Sequence, residues 1–354
     1  MAHSVYFCNY SIGPECYKNI EEICKPFGKR IFLIYGEHAY AAAGALLEDA
    51  IADTDLSIVD RQIFGEDCTM NGIEHLAAIA KKVNADMIFG LGGGKAIDTA
   101  KGAADTVGLP VFAFPTIAST CAATTKLSVV YREDHSFEKF LYYDRPARHC
   151  FINTQVIADA PDRYLRAGMG DTIGKYFECQ FAARNDALEH SSALGHEISR
   201  LCWYPLLKHG RQALTDCQNG QATDALEEAI LAIIVSTGLV SLLVLDEYNG
   251  AIAHSVYYAL CLLPGFEENN LHGDVVGYGV MVQQAIDGES FAGVRDFLLS
   301  LGIAVTLKDM GVSIERTGLE EVLKEVIAGP DMEHIPYPVT KDMVYEAMVA
   351  VENY

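Results

Sequence analysis

Asp171, His254 and His272 are three side chains whose types suit a divalent metal ion. Each stands at or near a helix start or inside an otherwise apolar helical run, in Gly170-Asp171-Thr172, Ala253-His254-Ser255 and Leu271-His272-Gly273. Two imidazoles and one carboxylate are enough for a catalytic ion that keeps a coordination position open. The chain has 11 histidines. On composition and spacing alone, therefore, a set of ordinary hydrogen-bonded histidines remains an open alternative.

A second feature is Gly90-Leu91-Gly92-Gly93-Gly94-Lys95, continuing through Asp98 to Lys101. It comes after the apolar run Met87-Ile88-Phe89 and leads into helix-like composition, so it reads as strand, glycine turn and helix start. Glycines let the backbone approach an anion, successive N–H groups point at it, and the helix dipole adds attraction. Lys95 can add a full charge. The spacing matches neither GxGxxG nor the P-loop GxxxxGK[ST], which leaves the ligand class open at this point. Glu37 comes just after the run Arg30 to Tyr35. A carboxylate there can accept from ribose hydroxyls and repel a 2′-phosphate, or it can be a solvated loop acid. The stretch Thr116 to Lys126 is rich in small and hydroxylated residues. It can wrap a ligand closely or pack as a polar loop.

The elements that must position these groups are of two kinds. Up to about residue 160, short β-branched or aromatic runs at 30–35, 56–60, 87–89 and 111–115 alternate with helical stretches at 39–50, 72–83 and 95–104. That order predicts a parallel sheet with helices on both faces, and ligands bind such sheets beyond the carboxyl ends of the strands. The runs 127–131, 138–144 and 150–153 extend the β-rich region. From Pro161 onward the periodicities are helical, with strand-like runs nearly absent. The expected architecture is an α/β domain over 1–160 and an all-α domain over 161–354.

With 354 residues, two domains is the natural prior. The net charge is -22. Such a surface repels nucleic acid and anionic membranes, so neither is an expected partner, and a small-molecule substrate is. The start Met1-Ala2-His3-Ser4 lacks a basic or apolar leader, which points to the cytoplasm. The uncharged run Ile230 to Leu245 is shorter than the ~20 residues of a membrane span and reads as a buried helix. The ten cysteines contain no CxxC pair and read as reduced thiols.

Taken in order, Gly90 to Lys101, Pro115 to Thr120, Leu127 to Tyr131, Gly170-Asp171 with Lys175-Tyr176-Phe177-Glu178, and His272-Gly273 resemble one family. It is the glycerol dehydrogenase branch of the iron-containing (group III) alcohol dehydrogenases, which share a fold with dehydroquinate synthase. The resemblance runs from the first strand at least to Leu307. It implies an N-terminal dinucleotide-binding domain and a helical domain that binds metal and carries out catalysis. Glu37, Gly92, Gly93, Gly94, Lys95, Asp98, Thr116, Ser119, Thr125, Leu127 and Tyr131 then fall on the cofactor side, with NAD favoured by Glu37 and NADP possible. Asp171, His254 and His272 match the ligands of one divalent ion, zinc or iron. The resemblance also implies a homo-oligomer.

Two departures bear on substrate. Cys121 stands where glycerol dehydrogenases carry a polyol-binding aspartate, and a thiol is a weak hydrogen-bond partner. Nearby Lys126 brings a cation that a carboxylate or phosphate could pair with, or that points to water. Ser119-Thr120-Cys121-Ala122-Ala123 also resembles a branch that includes reductases of 2-oxo acids. The expected reaction is hydride transfer between NAD(P) and a 2-hydroxy acid/2-oxo acid pair. Glycerol oxidation is the alternative, and a dehydroquinate-synthase-like lyase is a more distant one. Tyr257 occupies a position where related sequences often carry a second histidine, so no proton relay is legible there.

Overall fold

The computed structural model describes residues 4–354. Its first half runs β1 (Asn9–Ile12), β2 (Arg30–Tyr35), α1 (Glu37–Ile51), β3 (Ser57–Ile63), α2 (Met70–Lys82), β4 (Met87–Gly92), α3 (Gly94–Val107), β5 (Val111–Pro115), β6 (Leu127–Tyr131), β7 (Phe137–Tyr142) and β8 (His149–Ile152). Six strands form one parallel sheet in the order β1-β8-β5-β4-β2-β3. Every residue of β4 and β5 is buried. That is why these runs are continuously apolar instead of alternating. Phe89, Phe114 and Phe151 pile on one face, with the Phe114 and Phe151 rings stacked at 4.8 Å.

The chain leaves β2 for β3 on one side, then crosses over to β4 and β5 on the other. The crevice beyond the carboxyl ends of β2 and β4 is thus the switch point where ligands enter such sheets. It is tied shut at its base by the Gly36 N–H, which donates to Leu91 O at 3.1 Å. The runs expected to extend the β region do so in two ways. β8 joins the sheet, whereas β6 and β7 pair with each other as a separate antiparallel ribbon. β1 had no sequence signal. Its residues Asn9 and Tyr10 are exposed and it forms a short edge strand, so burial imposes no pattern on it.

The second half is helical: α4 (Asp162–Ala182), α5 (His190–Ile198), α6 (Tyr204–Gln218), α7 (Asp224–Leu243), α8 (Ile252–Leu260), α9 (His272–Ile286), α10 (Ala292–Leu301), α11 (Arg316–Ala328) and α12 (Lys341–Glu352). Helix α7 is long and apolar enough to cross a membrane by length and composition alone, yet most of it is buried inside the protein. Its middle, Leu231–Ser236, is a π-helical segment. The carbonyl of Ile234 there accepts a 2.5 Å hydrogen bond from the Thr124 hydroxyl of the loop after β5. Gly238 makes the room, since a Cβ at that position would lie 2.0 Å from the same hydroxyl oxygen. All ten cysteines are free thiols, and most are buried.

Candidate active site

Glycines next to the metal-type residues bring three helices together. A Cβ on Gly273 would lie 1.8 Å from Ala167 O and 2.9 Å from Asp171 N, and one on Gly170 would lie 2.3 Å from Gly273 O. α4 and α9 therefore cross backbone to backbone. Gly279 allows the same between α9 and Ala253 of α8, where a Cβ would meet Ala253 O at 2.5 Å. Arg166 locks the crossing with a paired contact to Asp274, 2.7 Å from Nη2 to Oδ2 and 3.3 Å from Nε to Oδ1.

Three side chains converge as a result. His272 Nε2 lies 3.1 Å and His254 Nε2 3.6 Å from Asp171 Oδ1, and one ligand atom from each of the three falls within 4.8 Å of the others. A tetrahedral ion with bonds of about 2.0–2.1 Å spaces its ligand atoms about 3.3 Å apart, so the cluster fits such an ion. His272 keeps 35% of its side chain exposed, against 13% for Asp171 and His254, so the cluster is open on the His272 side.

Behind His254 stands Glu178, fully buried on α4. His254 Nδ1 faces its Oε2 at 2.5 Å, and its Oε1 accepts from the Ala251 and His254 backbone N–H groups, both at 2.8 Å. Glu178 thus caps the first turn of α8 and fixes the His254 ring with Nε2 toward Asp171. Burial alone would raise both carboxyls. Hydrogen bonds from His254 and His272 nevertheless hold Asp171 far below the usual carboxylate range, and the His254 charge lowers Glu178. Burial would lower His254, but Glu178 and Asp171 push it up to about 10. Two buried carboxylates in this small space call for positive charge between them. A divalent ion meets that need with both histidines neutral.

On the sheet side, Glu37 is the exposed first residue of α1 at the end of β2. Gly92 closes β4, Gly93 precedes α3 and Gly94 opens it. A Cβ on Gly93 would meet Ile117 at 2.9 Å, and one on Gly94 would meet Thr120 Oγ1 at 3.2 Å, so the turn lies against the loop after β5. Thr116 N–H donates to Gly92 O at 3.1 Å, while Ser119 and Leu127 are half-buried along the same loop. The loop also reaches the helices: a Cβ on Gly168 would lie 2.1 Å from Ala118 O. One segment therefore borders both the glycine turn and α4.

The family model for iron-containing alcohol dehydrogenase matches residues 8–151. A glycolaldehyde reductase of Halobacterium salinarum is 32% identical over 90% of this chain and 90% of its own. Hydroxycarboxylate dehydrogenase A of Escherichia coli is also 32% identical, over 92% of this chain and 90% of its own. The glycerol dehydrogenase of Schizosaccharomyces pombe superposes with a TM-score of 0.88 at 25% identity, covering all of this chain and 91% of that one. The chain belongs to the iron-containing alcohol dehydrogenase family. It is an oxidoreductase of the alcohol dehydrogenase class, and the α/β-plus-helical architecture is that of the family.

Not every residue expected on the cofactor side of this family member faces the crevice. Asp98 is turned inward and 5% exposed: it pairs with buried Lys101 at 2.8 Å and accepts from Val129 N–H at 3.0 Å, so it pins β6 to α3. Lys101 in turn donates to Ala122 O at 2.8 Å and to Leu127 O, and lies 3.4 Å from the buried hydroxyl of Thr125. Lys95 does not stand free at the glycine turn either. Its Nζ is paired with Asp67 and lies 4.9 Å from the centre of the half-buried Tyr131 ring. Lys126 is half-buried just before β6, with its carbonyl taking the Tyr143 N–H at 2.8 Å. Burial, with the Asp171 charge, pushes the Cys121 thiol up to about 11 against the pull of Lys175. The thiol is therefore neutral at ordinary pH.

Glu178, Lys175 and Asn249 have parts here that no sequence argument assigned to them. Positions 171, 175 and 178 are four and seven residues along one helix, hence on one face, and that spacing was the available signal. A cavity of about 700 Å³ with Tyr6, Phe27, Arg145 and Arg148 in its wall opens at the amino ends of the strands and contains none of these groups.

Proposed function

We propose that this protein is a metal- and NAD-dependent reductase of small 2-oxo acids, running in reverse as a 2-hydroxy acid dehydrogenase. Residues 1–160 would hold the dinucleotide and residues 161–354 the metal. The observation that carries the reading is the convergence of Asp171, His254 and His272 within 4.8 Å, beside a loop that also borders the glycine turn. Lewis acidity toward the substrate oxygen and the hydride itself are what the divalent ion and the nicotinamide contribute when bound. The chain's own residues do the rest. Glu178 keeps His254 in the tautomer that presents Nε2, and Asp171 with His254 and His272 would hold zinc or iron. Glu37, Gly92 to Gly94, Thr116, Ser119, Leu127 and Tyr131 line the dinucleotide in this reading, with Lys95 and Thr125 held behind them by Asp67 and Lys101, and the Glu37 carboxylate favours NAD over NADP. Asp98 supports that wall from within.

The neutral Cys121 thiol cannot accept from polyol hydroxyls as a carboxylate would. The likeness to hydroxycarboxylate dehydrogenase A supports a 2-oxo acid, and the likeness to glycerol dehydrogenases keeps a polyol as the second reading. A panel of 2-oxobutanoate, dihydroxyacetone and glycolaldehyde with NADH or NADPH decides between them. Preferred turnover of 2-oxobutanoate with NADH supports the first reading, and turnover of dihydroxyacetone alone replaces it with the second. The same reading carries a homo-oligomer, which light scattering checks.

A further inference from the structure

Lys175 lies four residues beyond Asp171 on α4, one turn along the same face. Its Nζ donates to Asn249 O at 2.6 Å and to Asn249 Oδ1 at 3.1 Å. Both partners are neutral, and no carboxylate stands within ion-pair distance of it among the described residues. Three other cations of this region have acidic partners: Lys101 pairs with Asp98, Arg166 with Asp274, and Lys95 with Asp67. Asp331 is seated over Gly250, where a Cβ would lie 2.7 Å from its Oδ1, and feels Lys175 only at longer range. A Cβ on the adjacent Gly174 would lie 3.6 Å from His254 Cε1, and Asn249 lies two residues before Ala251, whose N–H donates to Glu178 Oε1. Lys175 is therefore anchored at the start of the helix that carries His254, one turn from Asp171.

A half-buried ammonium with only neutral partners favours an anion that can enter. We infer that Lys175 is the residue that receives the carboxylate of the substrate, with Asn249 holding its ammonium in place beside the Asp171–His254–His272 cluster. This assigns to α4 the part first expected of Lys126. It also explains how a chain of net charge -22 can accept an acid. The inference rests on the 2-oxo acid reading and names the residue that makes it selective.

The test compares metal-loaded wild type with Lys175→Gln, which can still bond Asn249, and with Lys175→Arg, which keeps the charge. The readout is the ratio of kcat/KM for 2-oxobutanoate to that for uncharged dihydroxyacetone, with NADH. Loss of a charge-assisted contact should lower this ratio at least about 30-fold in Lys175→Gln, mainly through KM for the acid, and Lys175→Arg should recover much of it. Calorimetric titration of 2-oxobutanoate into the metal- and NAD-loaded proteins should show the same loss and recovery in affinity. A ratio unchanged in Lys175→Gln while wild type prefers 2-oxobutanoate overturns the inference and leaves the proposed function standing. Wild type that reduces dihydroxyacetone but not 2-oxobutanoate overturns both. If Lys175→Gln does not fold, Lys175→Arg together with Asn249→Ala gives the answer. A selectivity ratio retained in the first and weakened in the second supports the inference, and the opposite pattern refutes it.

Discussion

Replacing Glu178 by glutamine changes one oxygen for a nitrogen, and the hydrogen bonds around the carboxylate dictate how the new amide must sit. Oε1 is held by two backbone N–H donors, from Ala251 and His254, so the amide oxygen of the glutamine must stay there. The amide nitrogen then takes the place of Oε2, 2.5 Å from His254 Nδ1, and donates to it. Nδ1 must become an acceptor, which moves the imidazole proton to Nε2, the atom that faces Asp171. A protonated Nε2 cannot ligate a metal. Changes behind a metal-bound histidine typically cost about 10–100-fold in affinity, about 1.4–2.7 kcal/mol, and the forced tautomer puts Glu178→Gln at the upper end. The assay is zinc affinity by competition with a chromophoric chelator, alongside the circular dichroism of the stripped protein. Weakened zinc binding with an intact fold is expected. Zinc affinity equal to wild type would refute the claim that Glu178 sets the His254 tautomer.

Gly273→Ala pushes a methyl group into the Ala167 carbonyl at 1.8 Å and should destabilise the protein by about 1–3 kcal/mol in urea denaturation. Gly318→Ala in α11 has open space around it and should stabilise by about 0.4–1 kcal/mol, so equal effects at the two sites would contradict the packing account. Glu37→Ser should shift the NADPH to NADH ratio of kcat/KM upward about tenfold, the effect of about 1.4 kcal/mol of removed repulsion. Burial lowers the His149 imidazole to about 4, with its Nε2 2.9 Å from Ser11 Oγ. The unfolded chain takes up that proton near pH 6.5, so stability should be full above that pH and fall as pH drops from about 6.5 toward 4. His149→Gln should flatten that slope in denaturation curves measured across this range.

The sheet was readable because parallel strands buried on both faces must be continuously apolar, as in Met87 to Phe89 and Val111 to Pro115. Edge strand β1 escaped notice because nothing forces such a pattern on a partly exposed edge. Asp171, His254 and His272 were nameable one by one, chiefly through the family resemblance. That they meet depends on Gly170, Gly273 and Gly279, whose close approaches exist only once three helices cross. Lys126 drew attention through its place in the chain, and Lys175 did not. Whether a lysine is compensated depends on neighbours far away in sequence, here Asn249, and that is knowable only from the fold. Asp98 shows the converse: a residue inside the right motif whose partners, Lys101 and Val129, turn it into the core.

The most direct test is reduction of 2-oxobutanoate by NADH after chelator stripping and metal return, monitored by NADH absorbance in wild type and in His272→Ala. Stripped wild type should lose turnover and regain it with zinc or iron, and His272→Ala should remain inactive after the same return. Full turnover by the stripped protein, or by His272→Ala, would contradict a reaction carried out at the Asp171–His254–His272 cluster.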